Sequence, residues 1–169
     1  MTAKIIQSQS KIRHQLSIMS DDLNERYKGK EVEIVLINTT PIFFINDLLA
    51  KLKFQYHLQI LCYESYLDQS ATSGEVKITH DLSRPIRNKE ILLIDGVIIS
   101  GKTPHFIYKT LQSRSPKSLA FACIGIKENQ IEYKLPKVFF LFDFSNQWVE
   151  GYGIGTGAFK NKKNLYNLQ

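Results

Sequence analysis

The sequence has few cysteines, no long apolar run and fewer acidic than basic residues. Its 169 residues include 2 cysteines, and two isolated cysteines make neither a disulfide framework nor a zinc site. Cys62 and Cys123 lie inside apolar runs and are predicted to be buried. No apolar run approaches the roughly 18 residues of a membrane-spanning helix, and residues 1–10 lack the apolar segment of a signal peptide. We therefore expect a cytoplasmic, unprocessed protein without membrane contact.

The shortage of acidic residues leaves a basic chain. Lys and Arg number 22 against 16 Asp and Glu, so the formal net charge is +6. This excludes an acidic tail and a polyanion mimic, and it suits phosphate binding without being specific for it. Basic residues are not interleaved with aromatic ones, so nucleic-acid binding is not favoured. The scattered histidines have no metal-ligand spacing and are predicted to be surface or packing residues; they are His14, His57, His80 and His105.

Apolar patterning predicts alternating helices and strands in a single domain, residues 1–169. The clearest helix signal is the spacing of three to four between apolar residues from 11 to 27. Residues 91–94 form a continuous apolar run, typical of a strand covered on both faces, and we expect Asp95 and Gly96 to end it. The fold class is α/β, with a mainly parallel sheet of about five strands flanked by helices. Predicted helices are 11–27, 41–52 and 101–111, and predicted strands are 31–37, 58–63, 75–78, 91–94, 118–125, 138–142 and 148–152.

The segment from 91 to 103 carries the strongest chemical signal. After the buried strand comes Asp95, then a short loop of small and hydroxyl residues, Ser100-Gly101-Lys102-Thr103, which opens a helix. Open α/β sheets bind ligands at the C-terminal ends of their strands, and N–H groups at a helix N-terminus hold phosphate. The P-loop spacing is absent. The residues alone leave two interpretations open, a phosphate site and a capped strand-to-helix turn in which Asp95 is the cap.

This segment resembles the phosphoribosyl-pyrophosphate signature of the type I phosphoribosyltransferases. Other segments are similar, in the same order from about residue 4 to 157, to the hypoxanthine-guanine branch of that family. The resemblance implies a type I phosphoribosyltransferase fold with a core of about 28–145 and a small hood over the base, built from 1–27 and 146–169. The segments that carry it, besides 91–103, are 26–30, 41–48, 65–66, 73–78, 126–127 and 148–153.

The resemblance also implies an activity and a set of site residues. Enzymes of this branch are purine-salvage glycosyltransferases that join hypoxanthine or guanine to phosphoribosyl pyrophosphate, with magnesium neutralising the pyrophosphate. A homo-oligomer, dimer or tetramer, is expected. The implied residues are Ser100, Gly101, Lys102 and Thr103 for the 5′-phosphate, Asp95 for the ribose, Lys127, Trp148 and Val149 for the base, Asn38, Thr39 and Thr40 for the pyrophosphate loop, and Ser65 and Tyr66 for the flexible loop. Apart from the resemblance, Lys127 is interpreted as a surface lysine and Trp148 as a core residue.

The sequence departs from the family where the chemistry lies. Gly96 stands in place of the second acidic residue, Ile99 in place of the general base, and Gly155 in place of the aspartate that supports magnesium. Isoleucine can neither take nor give a proton, so no catalytic and no metal-binding residue is predicted. The lysine of the pyrophosphate loop is missing from 38–40, and Asn161 stands where an arginine is expected, with Lys160 and Lys162 nearby.

Three hypotheses follow from this pattern. The first is a protein that binds a purine nucleotide or phosphoribosyl pyrophosphate, with catalysis weak or lost. The second is a working enzyme that makes IMP or GMP, in which Glu150, Asp143 or backbone groups replace the missing acids and magnesium is bound weakly. The third is a regulatory module or the oligomeric partner of an active relative. The tail from 160 to 169 is predicted to be a solvated end.

Overall fold

The chain forms a large mixed sheet, three helices around it and a small second sheet. The computed structural model describes residues 3–38, 40–65, 76–145 and 147–168. The elements in chain order are β1 (Ala3–Gln7), α1 (Gln9–Arg26), β2 (Glu31–Ile37), α2 (Ile42–Leu49), β3 (Gln55–Ser65), β4 (Val76–His80), β5 (Glu90–Ile98), α3 (Lys102–Gln112), β6 (Ser118–Ile126), a 3₁₀ turn (Glu128–Gln130), β7 (Lys137–Asp143), β8 (Val149–Gly151) and β9 (Leu165–Leu168).

The large sheet has the order β4-β3-β2-β5-β6-β7 within the described residues. Five of these strands are parallel, and β4 pairs antiparallel with β3 at one edge. The central strands β5 and β6 are almost entirely buried, because helices cover both faces of the parallel sheet. The sequences of these two strands are correspondingly apolar throughout. The predicted α/β class with about five mainly parallel strands is therefore confirmed.

The strand β5 runs further than its apolar core suggested. Asp95 and Gly96 do not end it, because β6 continues to pair with it as far as Ile98, opposite Ile126. The prediction that the strand stops at Asp95 was wrong for this reason: backbone pairing with a neighbouring strand can carry a strand through an acid and a glycine. Asp95 consequently lies inside the strand and is only 6% exposed.

Helices pack on both faces of the large sheet. Ile12 and Leu16 of α1 and Phe44 of α2 belong to one apolar cluster, and Ile107 and Leu111 of α3 belong to the cluster on the other face. The division into a core of 28–145 and a hood stays a prediction, but α1, which was assigned to the hood, contributes buried side chains to the core. The helix α2 is shorter than predicted and ends at Leu49.

The two ends of the chain meet in a small antiparallel sheet of order β1-β9-β8. Local sequence patterns predicted neither β1 nor β9, since each becomes a strand only by pairing with residues far along the chain, such as Ala3 with Leu168. The prediction that residues 160–169 form a solvated end was also wrong in part, because Leu165 is fully buried. Cys123 is buried as predicted, whereas Cys62 is only half-buried. In the described part of the chain, no helix has the length and apolar content to cross a membrane.

Candidate functional site

A cleft of about 640 Å³ opens at the C-terminal ends of β2 and β5. Neighbouring parallel strands end at the same edge of a sheet, so their following loops converge there. Three segments and one residue of β3, Tyr63, line the cleft: the segments are the loop after β2, the end of β5 with the start of α3, and the segment after β8. The described lining residues are Asn38, Thr40, Pro41, Ile42, Tyr63, Asp95, Gly96, Val97, Ile98, Ile99, Ser100, Gly101, Lys102, Thr103, Pro104, Gly153, Ile154, Gly155, Lys160 and Asn161.

Asp95 faces this cleft from within β5. One of its carboxylate oxygens accepts a hydrogen bond of 2.7 Å from the N–H of Gly96. The loop after β2 is tied to the same strand, because the Thr40 hydroxyl donates a 2.5 Å hydrogen bond to the carbonyl of Ile94. The Thr40 bond holds the loop that the resemblance assigns to pyrophosphate against the strand that carries Asp95, the residue assigned to ribose.

The segment from Ser100 to Thr103 forms the entry to α3. Gly101 has a φ of 81° and is the N-cap residue, a left-handed conformation that favours glycine. The Ser100 hydroxyl accepts from the N–H of Lys102 at 3.3 Å, and the Ser100 carbonyl accepts from the N–H of Glu132 at 2.9 Å. An ordered loop at the N-terminus of an eleven-residue helix presents N–H groups and the positive end of the helix dipole, which favours an anion.

Ile99 lies at the mouth of the cleft directly before this loop. It is 45% exposed, unlike the preceding Ile98 at 1%, and it lines the cleft. An aliphatic side chain at this place supplies shape and apolar contact but no proton transfer.

Lys127 and Trp148 lie together, outside the set that lines the cleft. The N–H of Lys127 donates a 2.9 Å hydrogen bond to the carbonyl of Ile98, at the end of β5. Its ammonium nitrogen is 5.7 Å from the centre of the Trp148 ring, within the range of a cation–π contact. Trp148 is 66% exposed, so it is not a core residue, whereas Val149 is half-buried against the core.

The loop after β2 is held by Asn38. Its side chain donates to the carbonyl of Tyr63 at 3.2 Å and accepts from the N–H of the same residue at 3.3 Å. Asn38 and Thr40 both line the cleft. Thr39 and Tyr66 lie outside the described residues, and Ser65 is the last residue of β3. The structure therefore brings together the predicted phosphate, ribose and pyrophosphate segments, as far as it describes them.

Glu150 is a residue whose position the sequence did not predict. It is 5% exposed, and its carboxylate accepts from the N–H groups of Gly157 at 2.6 Å and Phe159 at 3.3 Å. Gly155 has a φ of 87°, and a Cβ there would overlap the Cγ of Glu150. In the sequence, Glu150 appears only as an acidic residue between Val149 and Gly151 in a predicted strand. This pattern does not reveal which groups its carboxylate contacts.

Asp143, the other acidic residue considered as a replacement for the missing carboxylates, also lies outside the set that lines the cleft. Asp143 accepts hydrogen bonds from the backbone N–H and the hydroxyl of Ser145 and from the N–H of Glu128; these bonds, that of the Ser145 N–H foremost, hold its pKa below the usual range. Neither Asp143 nor Glu150 lines the cleft, so Asp95 is the one carboxylate among the described lining residues. Of the basic residues considered near the missing arginine, Lys160 lines the cleft and Lys162 does not.

A second polar cluster lies at the opposite end of the sheet, where β2 and β3 begin. Oxygen or nitrogen atoms of Glu31, Glu33 and His57 lie within 4.8 Å of one another. Each of the three is engaged by a neighbour: His57 contacts Glu31 at 2.6 Å, and the buried Glu33 accepts from Gln59 at 3.0 Å. The sequence did not predict this meeting, because the residues lie on different strands.

The comparison with known proteins agrees with the geometry of the cleft. Residues 3–154 match the family described as the phosphoribosyl transferase domain. The chain belongs to this family. It is similar to a hypoxanthine phosphoribosyltransferase of Escherichia coli, which is 28% identical over 155 residues, covering 90% of this chain and 87% of that protein. The hypoxanthine phosphoribosyltransferase of Salmonella typhimurium is 29% identical over the same shares.

Solved structures show the same phosphoribosyltransferase fold. A hypoxanthine phosphoribosyltransferase from Staphylococcus aureus superimposes with a TM-score of 0.90 at 24% identity, over 98% of this chain and 91% of that one. A hypoxanthine-guanine phosphoribosyltransferase from Bacillus anthracis has a TM-score of 0.88 at 20% identity, over the full length of both chains. The predicted fold and the predicted family are therefore both confirmed.

Proposed function

We propose that this phosphoribosyltransferase-like protein binds a purine nucleotide or phosphoribosyl pyrophosphate and has weak or no turnover. The observation that carries the proposal is Ile99, an aliphatic side chain at the mouth of the cleft where the family places its general base. General acid–base catalysis contributes about 10²–10⁴-fold to a rate. A protein that keeps the binding groups and lacks this group retains affinity while it loses rate.

The proposed phosphate and ribose groups line the cleft, and the proposed base-binding pair, Lys127 and Trp148, lies outside the lining set. The 5′-phosphate meets the N–H groups and side chains of Ser100–Thr103 at the start of α3, and Asp95 accepts from the ribose hydroxyls. Trp148 stacks on the purine, with Lys127 beside it as a donor to the 6-oxo oxygen.

Magnesium, which enzymes of this type use to neutralise pyrophosphate, fits the described donor set poorly. Mg²⁺ takes near-octahedral oxygen ligands, usually one or two carboxylates together with substrate phosphates. Asp95 is the one carboxylate among the described lining residues, and it lies 6% exposed with an oxygen bonded to the N–H of Gly96. Gly96 and Gly155 supply no oxygen ligand from a side chain. We therefore derive no catalytic step through a metal.

Calorimetry and an activity assay test this proposal together. IMP, GMP and phosphoribosyl pyrophosphate are each titrated into the protein, and IMP formation from hypoxanthine is measured with magnesium present. We expect binding of at least one ligand and turnover far below that of an active relative. Absence of binding at millimolar ligand, or turnover equal to that of the relative, contradicts the proposal. The Gly96→Asp, Ile99→Asp double variant should gain turnover from this low level, since it restores two of the missing carboxylates.

We further propose that the protein forms a homo-oligomer. Leu58 and Ile60 of β3 are 47% and 53% exposed, and they alternate with the buried Gln59 and Leu61. They pair with Ile34 and Leu36 of β2 and so share the face of the sheet on which α2 packs, at its uncovered edge. Two apolar side chains side by side on a sheet face are a natural contact for a second copy.

A further inference from the structure

A groove of about 680 Å³ lies between the edge strand β4 and the helix α3. Residues 76–78 of β4 form one side, four residues of α3 form the other, and Tyr133 closes one end. Among the described lining residues, Lys102 is the one that this groove shares with the cleft. We call it the basic groove, because its charged side chains are all lysines.

One stripe of α3 faces the basic groove. Lys102, His105, Phe106 and Lys109 follow one another at intervals of one, three and four residues, which places them on one side of a helix. The residues of α3 that are buried against the sheet lie on the opposite side. Phe106 is 36% exposed, so an aromatic ring lies between the two lysines with part of its surface open to solvent.

The strand side of the groove is the outer edge of β4. Side chains of consecutive strand residues point to opposite faces of a sheet: Ile78 packs into the apolar cluster that contains the buried residues of α3, whereas Lys77 is exposed. A groove that is lined by both, and by Val76 as well, follows the edge of the strand and not one face. Among the described strands β4 is the last of its sheet, so no described strand pairs with its outer backbone groups.

The charge along the basic groove has one sign. Lys77, Lys102 and Lys109 contribute three ammonium groups, and the described lining residues include no Asp or Glu. None of these lysines forms an ion pair with another described residue. Uncompensated positive charge beside apolar side chains attracts an anionic partner and speeds its association.

The aromatic end of the groove is held by contacts within the fold. Nδ1 of His105 donates a hydrogen bond to the carbonyl of Lys134 at 2.7 Å. The ring centre of His105 lies 5.6 Å from that of the neighbouring Tyr133. These contacts join α3 to the segment before β7, so this end of the groove is formed without a partner.

We propose that the basic groove binds an extended acidic segment of a partner protein, which pairs with the outer edge of β4 as an added strand. Extended peptides add to exposed sheet edges through main-chain hydrogen bonds, and pockets beside the edge select their side chains. Acidic side chains of the segment pair with Lys77, Lys102 and Lys109, and an apolar side chain between them packs on Phe106 and Ile78. The inference is independent of the proposed function, because it uses no ligand of the cleft.

The groove suits a peptide better than a nucleic acid. Single-stranded nucleic acids need a basic channel with aromatic platforms, which the lysines and Phe106 supply only in part. The strand edge adds alternating N–H and C=O groups, which a peptide backbone matches residue by residue and a sugar-phosphate backbone does not. Lys102 and Lys109 are about 10 Å apart along the helix axis, the length of about three extended residues, so a segment of about five residues reaches both.

The first measurement is the fluorescence anisotropy of a labelled peptide, acetyl-Glu-Val-Glu-Phe-Glu-amide, titrated with the protein at low ionic strength. We expect saturable binding that weakens as salt is added, since salt screens charge pairs at the surface. The control peptide has lysine in place of each glutamate and should not bind. Absence of binding of the acidic peptide at about 1 mM protein, or equal binding of the two peptides, overturns the proposal.

The second measurement tests strand addition by methylating backbone nitrogens of the acidic peptide. Alternate N–H groups of an added strand point toward its neighbour, so one alternate set faces β4 and the other faces away. Methylation of the set that faces β4 should abolish binding, and methylation of the other set should leave binding close to that of the unmodified peptide. Equal effects of the two methylated peptides contradict strand addition.

The third measurement locates the site on the protein. The double variant Lys77→Ala, Lys109→Ala should weaken binding of the acidic peptide about threefold or more, the effect of losing two surface charge pairs. Lys102 is left unchanged because it also lines the cleft. The matched control, Lys53→Ala with Lys134→Ala, removes two exposed lysines outside the groove and should change the affinity little. Equal affinities of the two double variants contradict the site.

A nucleic acid as the occupant is tested in the same assay. Labelled oligouridylate and oligothymidylate of about ten nucleotides, within the usual range of single-strand site sizes, replace the peptide. We expect both to bind more weakly than the acidic peptide. Tighter binding of either oligonucleotide overturns the proposal.

Discussion

Two aromatic residues four positions apart, Phe144 and Trp148, lie in opposite environments. Phe144 is 1% exposed and packs so closely on β6 that a Cβ on Gly125 would overlap its ring. Trp148 is 66% exposed, with Lys127 over its ring. An aromatic ring left in water contributes little to folding, since most of its apolar surface is not removed from solvent. Such exposure leaves the face of the ring accessible, as the proposed stacking on a planar ligand requires.

Replacing Trp148 by alanine should therefore affect binding and spare stability. Loss of a base–aromatic stack costs about 1–3 kcal/mol, so we expect IMP to bind about tenfold or more weakly, measured by calorimetry. The thermal midpoint should change little.

The matched control is Phe144→Ala. Removal of a buried phenylalanine costs about 3–5 kcal/mol and should lower the thermal midpoint markedly. If Trp148→Ala unfolds the protein as readily as the control does, the tryptophan stabilises the fold and has been wrongly assigned to the ligand.

At the scale of elements, Glu90 joins the first residues of two central strands. It begins β5, and the hydroxyl of Ser118, which begins β6, donates to its carboxylate. The ammonium groups of Lys30 and Lys117 lie 3.7 and 3.4 Å from the same carboxylate. Burial opposes ionisation of this group, but the Ser118 hydrogen bond and the two lysines outweigh it and lower the pKa of Glu90.

This lowered pKa predicts an acid-dependent stability. A carboxylate with a lower pKa in the folded state stabilises the fold at pH values above its unfolded pKa of about 4.3. The contribution is lost as the pH falls through the lower folded value. In Glu90→Gln we expect a smaller free energy of unfolding at neutral pH and a shallower decrease on acidification, both measured by urea denaturation at a series of pH values.

The exposed Glu132→Gln variant serves as the control for the loss of one negative charge. It should leave the pH dependence close to that of the unchanged protein. Parallel acid profiles for Glu90→Gln and the unchanged protein would show that Glu90 does not link the stability of β5 and β6 to pH.

At the scale of the whole molecule, no described residue covers the side chains of Leu58 and Ile60 on one face of β3, which are 47% and 53% exposed. The helices α1 and α2 cover the strands nearer the centre, and the apolar side chains of Leu58 and Ile60 stay exposed at the edge. The small sheet joins both ends of the chain by pairing β1 with β9. Since β3 belongs to the large sheet, the proposed association does not use the strands of the small sheet.

The Ile60→Lys variant should reduce the oligomer to a smaller species. A charge in an apolar contact is costly to desolvate, so we expect a lower molar mass in light scattering after size exclusion. Ile5→Lys is the matched control, since Ile5 is 50% exposed on β1 of the small sheet, and it should leave the mass unchanged. A monomer for the unchanged protein would contradict the proposed homo-oligomer.

The sequence by itself determined the fold class, the order of most elements and the segment that lines the cleft. These features depend on local patterns: a continuous apolar run in β5, helical spacing in α1, and glycine with hydroxyl residues before α3. Local patterns reflect backbone propensity and burial, and both can be predicted from a few consecutive residues. The departures at Gly96, Ile99 and Gly155 were instead identified through the resemblance to the phosphoribosyltransferase family, which places acidic residues at these positions.

Tertiary structure alone decided the features that depend on contacts between distant residues. Pairing of Ala3 with Leu168 makes a strand of each chain end, and pairing with β6 extends β5 past Asp95. The carboxylate of Glu150 accepts hydrogen bonds from residues seven and nine positions later, and residue 160 lines the cleft whereas residue 162 does not. Such contacts depend on how the whole chain packs, because burial and strand pairing stabilise a residue only after its distant partner is in place.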